Sequence, residues 1–207
     1  MVSGCSTANS GSNGSSGNDG GKVKVVATTD VYADIVKQVG GDNVDVTPII
    51  ASTSTDPHSY EATAADRVKT KDAGLVVVNG GGYDQFLEDM AGKDNSSQKV
   101  VNAVKLSGKL TDSEYDHLAE DHKDGHHDHE DGEEHKHAHE FNEHLWYDCD
   151  TMKKVATEVA EDLAQLDSAH AKMLRNSAQN LILWTPQRRR STVEVRNTFR
   201  PSLCRIT

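Results

Sequence analysis

The sequence predicts an α/β fold, a parallel four-stranded sheet with flanking helices, and three observations predict it. The run Ala73-Gly74-Leu75-Val76-Val77-Val78-Asn79 is apolar without alternation, as a strand buried on both faces should be. Strand candidates are separated by segments with helical spacing of apolar residues. Glycines fall where helices should stop and strands should turn, at Gly40-Gly41 and Gly80-Gly81-Gly82. Such alternation forms right-handed βαβ units and places ligands on loops at the carboxyl ends of the strands.

Residues 1–21 precede that pattern. Val2-Ser3-Gly4-Cys5-Ser6 has the small-small-Cys form of a bacterial lipoprotein processing site, and Thr7 to Gly21 is a Gly/Ser/Asn tether. A lipid on Cys5 would anchor the protein at the outer face of a membrane. The charged and apolar parts of a signal peptide are then expected upstream of Met1. No stretch reaches the roughly 18 apolar residues needed to span a bilayer.

The expected α/β lobe covers residues 22–167. Lys22 to Ala27 reads as a strand, and Thr28-Thr29-Asp30 offers capping oxygens to a helix carrying Val31, Ile35, Val36 and Val39. Val44 to Ile50 is a β-branched strand, followed by a polar loop, Ala51 to Tyr60, that contains Asp56-Pro57-His58. A helix is expected over Glu61 to Asp72, the buried strand after it, a helix from Tyr83 to Met90, and a fourth strand over Lys99 to Ala103. Residues 110–140 read as a His-rich acidic loop. Met152, Val155, Ala156, Val159, Ala160, Leu163 and Leu166 then mark a helix ending near Asp167, and residues 168–180 begin another.

Charge narrows the partners. The chain carries 33 acidic and 22 basic residues, a net charge of −11, which disfavours nucleic acid and favours cations. Residues 181–207 differ, with six arginines and one acid; their net +5 leaves −16 on the rest. That tail reads as foreign to the fold, as out-of-frame translation would make it, the alternative being a basic tail on anionic lipid. Cys5, Cys149 and Cys204 show no CxxC spacing, so neither a thiolate zinc site nor a disulfide framework is expected, and Cys149 reads as a small apolar residue beside a helix start.

Histidine usage points to a metal ion. His117, His122, His126, His127, His129, His135, His137 and His139 are interleaved with carboxylates, and neutral imidazole suits zinc at neutral pH. Closely spaced histidines on a flexible chain can bind metal weakly, as a scavenging arm or as a solvated loop that binds zinc incidentally. His58 and His144 stand apart from this tract, each at a predicted loop.

The motifs Asp56-Pro57-His58-Ser59-Tyr60-Glu61, Asn79-Gly80 and Asn142-Glu143-His144-Leu145-Trp146-Tyr147-Asp148 resemble those of the zinc and manganese solute-binding proteins of bacterial ABC importers. The resemblance covers Lys22 to about Asn180. It implies that His58 and His144 are metal ligands, that Asp148 orients rather than ligates, and that the His-rich insertion marks the zinc-selective branch. Zn²⁺ is the expected cargo. Mn²⁺ is less favoured, because it prefers oxygen donors. The implied partner is an ABC permease in the membrane, served by an extracytoplasmic monomer. Relatives continue through a long interlobe helix into a second lobe that supplies further ligands, whereas this pattern stops after Asn180. The expectation is therefore an N-terminal lobe with the second lobe missing, whose two imidazoles half satisfy a tetrahedral ion.

Two other functions fit the sequence less well. A zinc hydrolase would need a metal-bound water beside a general base, but His139 and His144 are five apart rather than four, and no Gly-x-Ser-x-Gly or phosphate loop occurs. No enzyme and no catalytic residue is expected. A surface adhesin rests on location and resemblance alone.

Overall fold

The computed structural model describes residues 21–121 and 141–183. Strands β1 (Val23–Thr29), β2 (Val44–Ile50), β3 (Leu75–Val78) and β4 (Lys99–Asn102) form one parallel sheet in the order β2-β1-β3-β4. Val25 pairs with Val46 on one side and Leu75 on the other. From β1 the sheet grows first toward β2 and then, reversing, toward β3 and β4. That reversal opens a crevice at the carboxyl ends of β1 and β3. Pro48 is tolerated because β2 is an outer strand, where a missing N–H need not break a ladder.

Helices α1 (Asp30–Gly40), α2 (Ala64–Asp72), α3 (Gln85–Glu88), α4 (Ala103–Ser107), α5 (Asp112–Asp121), α6 (Cys149–Leu166) and α7 (Ala171–Leu183) flank the sheet. Side chains of a strand alternate between faces. Val25, Ala27, Leu75 and Val77 therefore meet Ile35, Val36 and Val39 of α1, Val155, Val159 and Leu163 of α6, and Leu174 of α7. Val26, Val76 and Val78 face the other way, against Leu87 and Met90. Both faces are covered, which is why β3 shows no polar alternation. Each fully buried Val or Leu contributes about 1.5–3 kcal/mol of transfer free energy.

Several elements differ from the sequence expectations. The helix expected from Glu61 starts at Ala64, because Thr63 and Asp66 form a reciprocal capping box. The expected Tyr83–Met90 helix shrinks to the single turn α3. Asp84 turns inward there, and its carboxylate accepts the N–H groups of Asn79 and Gly80 at 2.7 Å each. The fourth strand ends at Asn102, whose side chain accepts from Lys105 N at 3.0 Å and caps α4. Residues 112–121, read as part of a loop over 110–140, are helical instead. Thr111 and Glu114 exchange hydrogen bonds as a second capping box and start α5. The last helix extends past Asn180 to Leu183, since partly buried Leu181 packs on the core. Cys149 is disulfide-bonded rather than a free apolar residue.

Gly80 is required where it stands. Its φ is +83°, and a Cβ there would lie 2.5 Å from the amide of Asn102. No helix among the described residues is long and apolar enough to cross a membrane.

Candidate metal centre

The crevice at the carboxyl ends of the strands is walled by two loops. The loop after β2 carries His58 in a single helical turn, Pro57–Ser59, which Asp56 caps by accepting His58 N at 3.1 Å. The segment before α6 carries His144, and Asn142 accepts His144 N at 3.0 Å. In both loops, then, an Asx oxygen two residues earlier fixes the backbone of the histidine.

Glu143 lies between the two rings. Its Oε1 is 3.3 Å from His58 Nε2 and 3.7 Å from His144 Nδ1, so these two nitrogens are at most 7.0 Å apart. The structure thus brings His58 and His144 to one place. His144 Nδ1 also lies 2.9 Å from Asn142 Oδ1. An N–H donated to that oxygen leaves Nε2 as the free lone pair, the usual way an outer hydrogen bond selects a histidine tautomer for a metal.

Asp148, expected as an orienting residue, has its partners elsewhere. Its carboxylate accepts from Asp150 N at 3.1 Å and Thr151 Oγ1 at 2.8 Å, capping α6, and pairs with Lys109 Nζ at 2.8 Å. The Lys109 ammonium and the Thr151 hydroxyl lower its pKa to about 2. Asn142 holds the position at the ring, and the repeated Asx-x-His spacing was the available signal.

Beneath the histidines lies an aromatic floor. The Tyr83 ring centroid is 5.0 Å from that of His58, 5.9 Å from that of His144 and 5.0 Å from that of Trp146. Tyr83 is buried, and with Asp84, Asp56 and Glu143 nearby its pKa is pushed up to about 12. The phenol stays neutral beside a set of carboxylates that favours a cation.

Asn79 joins this floor to the sheet. Its Nδ2 donates to the carbonyls of Glu143 at 3.0 Å and Gly80 at 2.9 Å, and its Oδ1 accepts from Tyr32 OH at 2.5 Å. Asp84 supports it from below, accepting Asn79 N, Gly80 N and the Thr28 hydroxyl, and burial raises its pKa. Asn79, Gly80 and Glu143 fall inside the family motifs but carried no assigned role, and Tyr32 and Asp84 were not singled out from the sequence. Among the described residues no group of three His, Cys, Asp or Glu side chains is already arranged to hold an ion. His117 lies on α5. The remaining tract histidines, His122, His126, His127, His129, His135, His137 and His139, lie outside the described residues, as do Cys5 and the basic tail from residue 184.

The chain is 27% identical over 181 residues to the zinc-binding lipoprotein AdcA of Streptococcus pneumoniae, covering 77% of this chain and 34% of that protein. It is 38% identical over 90 residues to the manganese ABC transporter substrate-binding lipoprotein PsaA of Streptococcus mitis, covering 44% of this chain and 27% of that one. In structure it resembles the periplasmic zinc-binding protein TroA of Treponema pallidum, with a TM-score of 0.58 and 23% identity over 79% of this chain and 51% of TroA. The chain thus spans about a third or less of these lipoproteins and about half of TroA. Residues 25–183 match the family described as ZnuA, zinc-uptake complex component A, periplasmic. The chain belongs to that family of metal-binding ABC transporter substrate-binding proteins.

Proposed function

We propose that this chain captures Zn²⁺ at the carboxyl ends of its sheet through His58 and His144, for delivery to an ABC permease in the membrane. The observation that carries the reading is the convergence of the two imidazoles, 86 positions apart in sequence, on one oxygen of Glu143. Family membership supports a binding protein over an enzyme. Zinc is favoured over manganese because both histidines and the tract from His117 to His139 offer nitrogen donors. The relatives' names divide between the two metals. In this reading Cys5 carries a lipid that holds a monomer outside the membrane, and the tract raises the local zinc concentration near the cleft.

Calorimetric titration of the full chain with Zn²⁺ and with Mn²⁺, against a competing chelator that masks weak sites, tests the reading. The tightest zinc event should disappear in His58→Ala and in His144→Ala. Persistence of that event in the double variant would move the site elsewhere.

A further inference from the structure

The rim of the sheet carries a third donor besides the histidines. We infer that Glu143 is itself a ligand of the captured ion, its carboxylate completing an N₂O set with His58 and His144 inside this one lobe. The inference rests on the capture reading above and adds a residue to it.

Geometry carries the argument. Zinc holds each ligand atom at about 2.0–2.1 Å, which puts neighbouring ligand atoms of a tetrahedral site about 3.3 Å apart. Glu143 Oε1 is 3.3 Å from His58 Nε2. The same oxygen is 3.7 Å from His144 Nδ1, the nitrogen that also lies 2.9 Å from Asn142 Oδ1. To present Nε2 to an ion shared with Glu143 and His58, the His144 imidazole must turn about its Cβ–Cγ bond, a side-chain rotation that moves no backbone. The backbone is already held, because Asn79 Nδ2 donates to the Glu143 carbonyl at 3.0 Å while the side chain stays free to turn. Among the described residues, the carboxylate of Glu143 makes no hydrogen bond to a lysine, an arginine or a backbone N–H, and its ionic contacts are the two imidazoles. The carboxylate is mostly covered, its side chain 22% exposed, and is placed to become an oxygen donor once a cation enters.

An oxygen donor also bears on selectivity. Carboxylate ligation matters more to Mn²⁺ than to Zn²⁺, because manganese gains less from imidazole. Removing Glu143 should therefore sharpen the discrimination against manganese.

The test uses the full chain and titrates Zn²⁺ and Mn²⁺ into wild type, Glu143→Gln, Glu143→His and His58→Ala, under chelator competition. Glu143→Gln keeps the shape of the side chain and leaves the carbonyl that Asn79 holds. It should weaken the tightest zinc event by about tenfold or more and weaken manganese by a larger factor. Glu143→His should recover zinc binding and not manganese binding. If Glu143→Gln leaves both metals within twofold of wild type while His58→Ala abolishes the event, Glu143 is no ligand and the capture reading stands. Equal loss of both metals in Glu143→Gln, with no zinc recovery in Glu143→His, would assign Glu143 to loop positioning and overturn the inference. Indifference of the zinc event to His58→Ala would remove the capture reading, and the inference with it.

Discussion

Asn79 is the residue on which the stability of the rim turns, and Asn79→Ala measures how much. The side chain is fully buried and makes three hydrogen bonds, accepting from Tyr32 OH and donating to the carbonyls of Gly80 and Glu143. Truncation leaves the buried Tyr32 hydroxyl without this acceptor. Burial raises the pKa of that phenol well above its usual value, so it cannot escape the loss by ionising. A buried polar group stripped of its partner costs about 1–3 kcal/mol, and each lost neutral hydrogen bond about 0.5–1.5 kcal/mol. Stranding the Tyr32 hydroxyl and losing the two bonds to carbonyls together cost about 2–6 kcal/mol. A double-mutant cycle with Tyr32→Phe isolates the largest part, because Phe has no hydroxyl to leave stranded. The Asn79→Ala/Tyr32→Phe protein should be about 1–2 kcal/mol more stable than the sum of the single losses predicts. Urea denaturation followed by far-UV circular dichroism measures all four proteins. Additivity within about 0.3–0.5 kcal/mol would refute the claim that Tyr32 depends on Asn79.

Two further predictions concern carboxylates outside the cleft. Asp148→Ala should cost about 1 kcal/mol as a lost helix cap. Since the Asp148 pKa is lowered to about 2, its stabilising contribution is present above the ordinary carboxylate pKa of about 4 and is lost as pH falls toward 2; acid denaturation of Asp148→Asn should lack that part of the slope. Glu88 shifts the opposite way, because burial raises its pKa to about 6 while Tyr115 OH and Asn102 Nδ2 hydrogen-bond its Oε1. The folded state then holds a proton that the unfolded chain has already released, so stability should fall as pH rises from about 4.5 to 6. Chemical denaturation across that window should show the fall in wild type and a smaller one in Glu88→Gln.

The sheet was legible in the sequence because burial on both faces leaves an unbroken apolar run, and β3 has one. Helix α6 was legible for the related reason that one apolar stripe repeats at 3.6 residues. Helix α5 was hidden by composition. Its acidic and histidine-rich sequence reads as a solvated loop, although the Thr111-x-x-Glu114 box marks a helix start independently of hydrophobicity. The shortened α3 was not legible, because Asp84 is drawn inward by N–H groups of Asn79 and Gly80, which only the β3 turn aims at it. His58 and His144 could be picked out by their motifs. The role of Glu143 could not, since a charged residue beside a histidine is ordinarily solvent-facing and its place beside both rings depends on a contact across 85 positions of chain.

The two histidines reach their positions by the same local means and are joined by a different one. Asp56 and Asn142 each bind the N–H of the residue two positions on, so both backbones are set by short-range hydrogen bonds before the loops meet. Fixing a backbone residue costs about 1–2 kcal/mol of conformational entropy, and here that cost is met during folding instead of during ion binding. The parallel sheet then brings both loops to its carboxyl ends, and Asn79 ties one of them to β3 through the Glu143 carbonyl. Side-chain rotation is what remains for the ion to order. A site divided in this way, rigid in its main chain and adjustable in its imidazoles and carboxylate, can close on a cation with little rearrangement and release it without unfolding the rim.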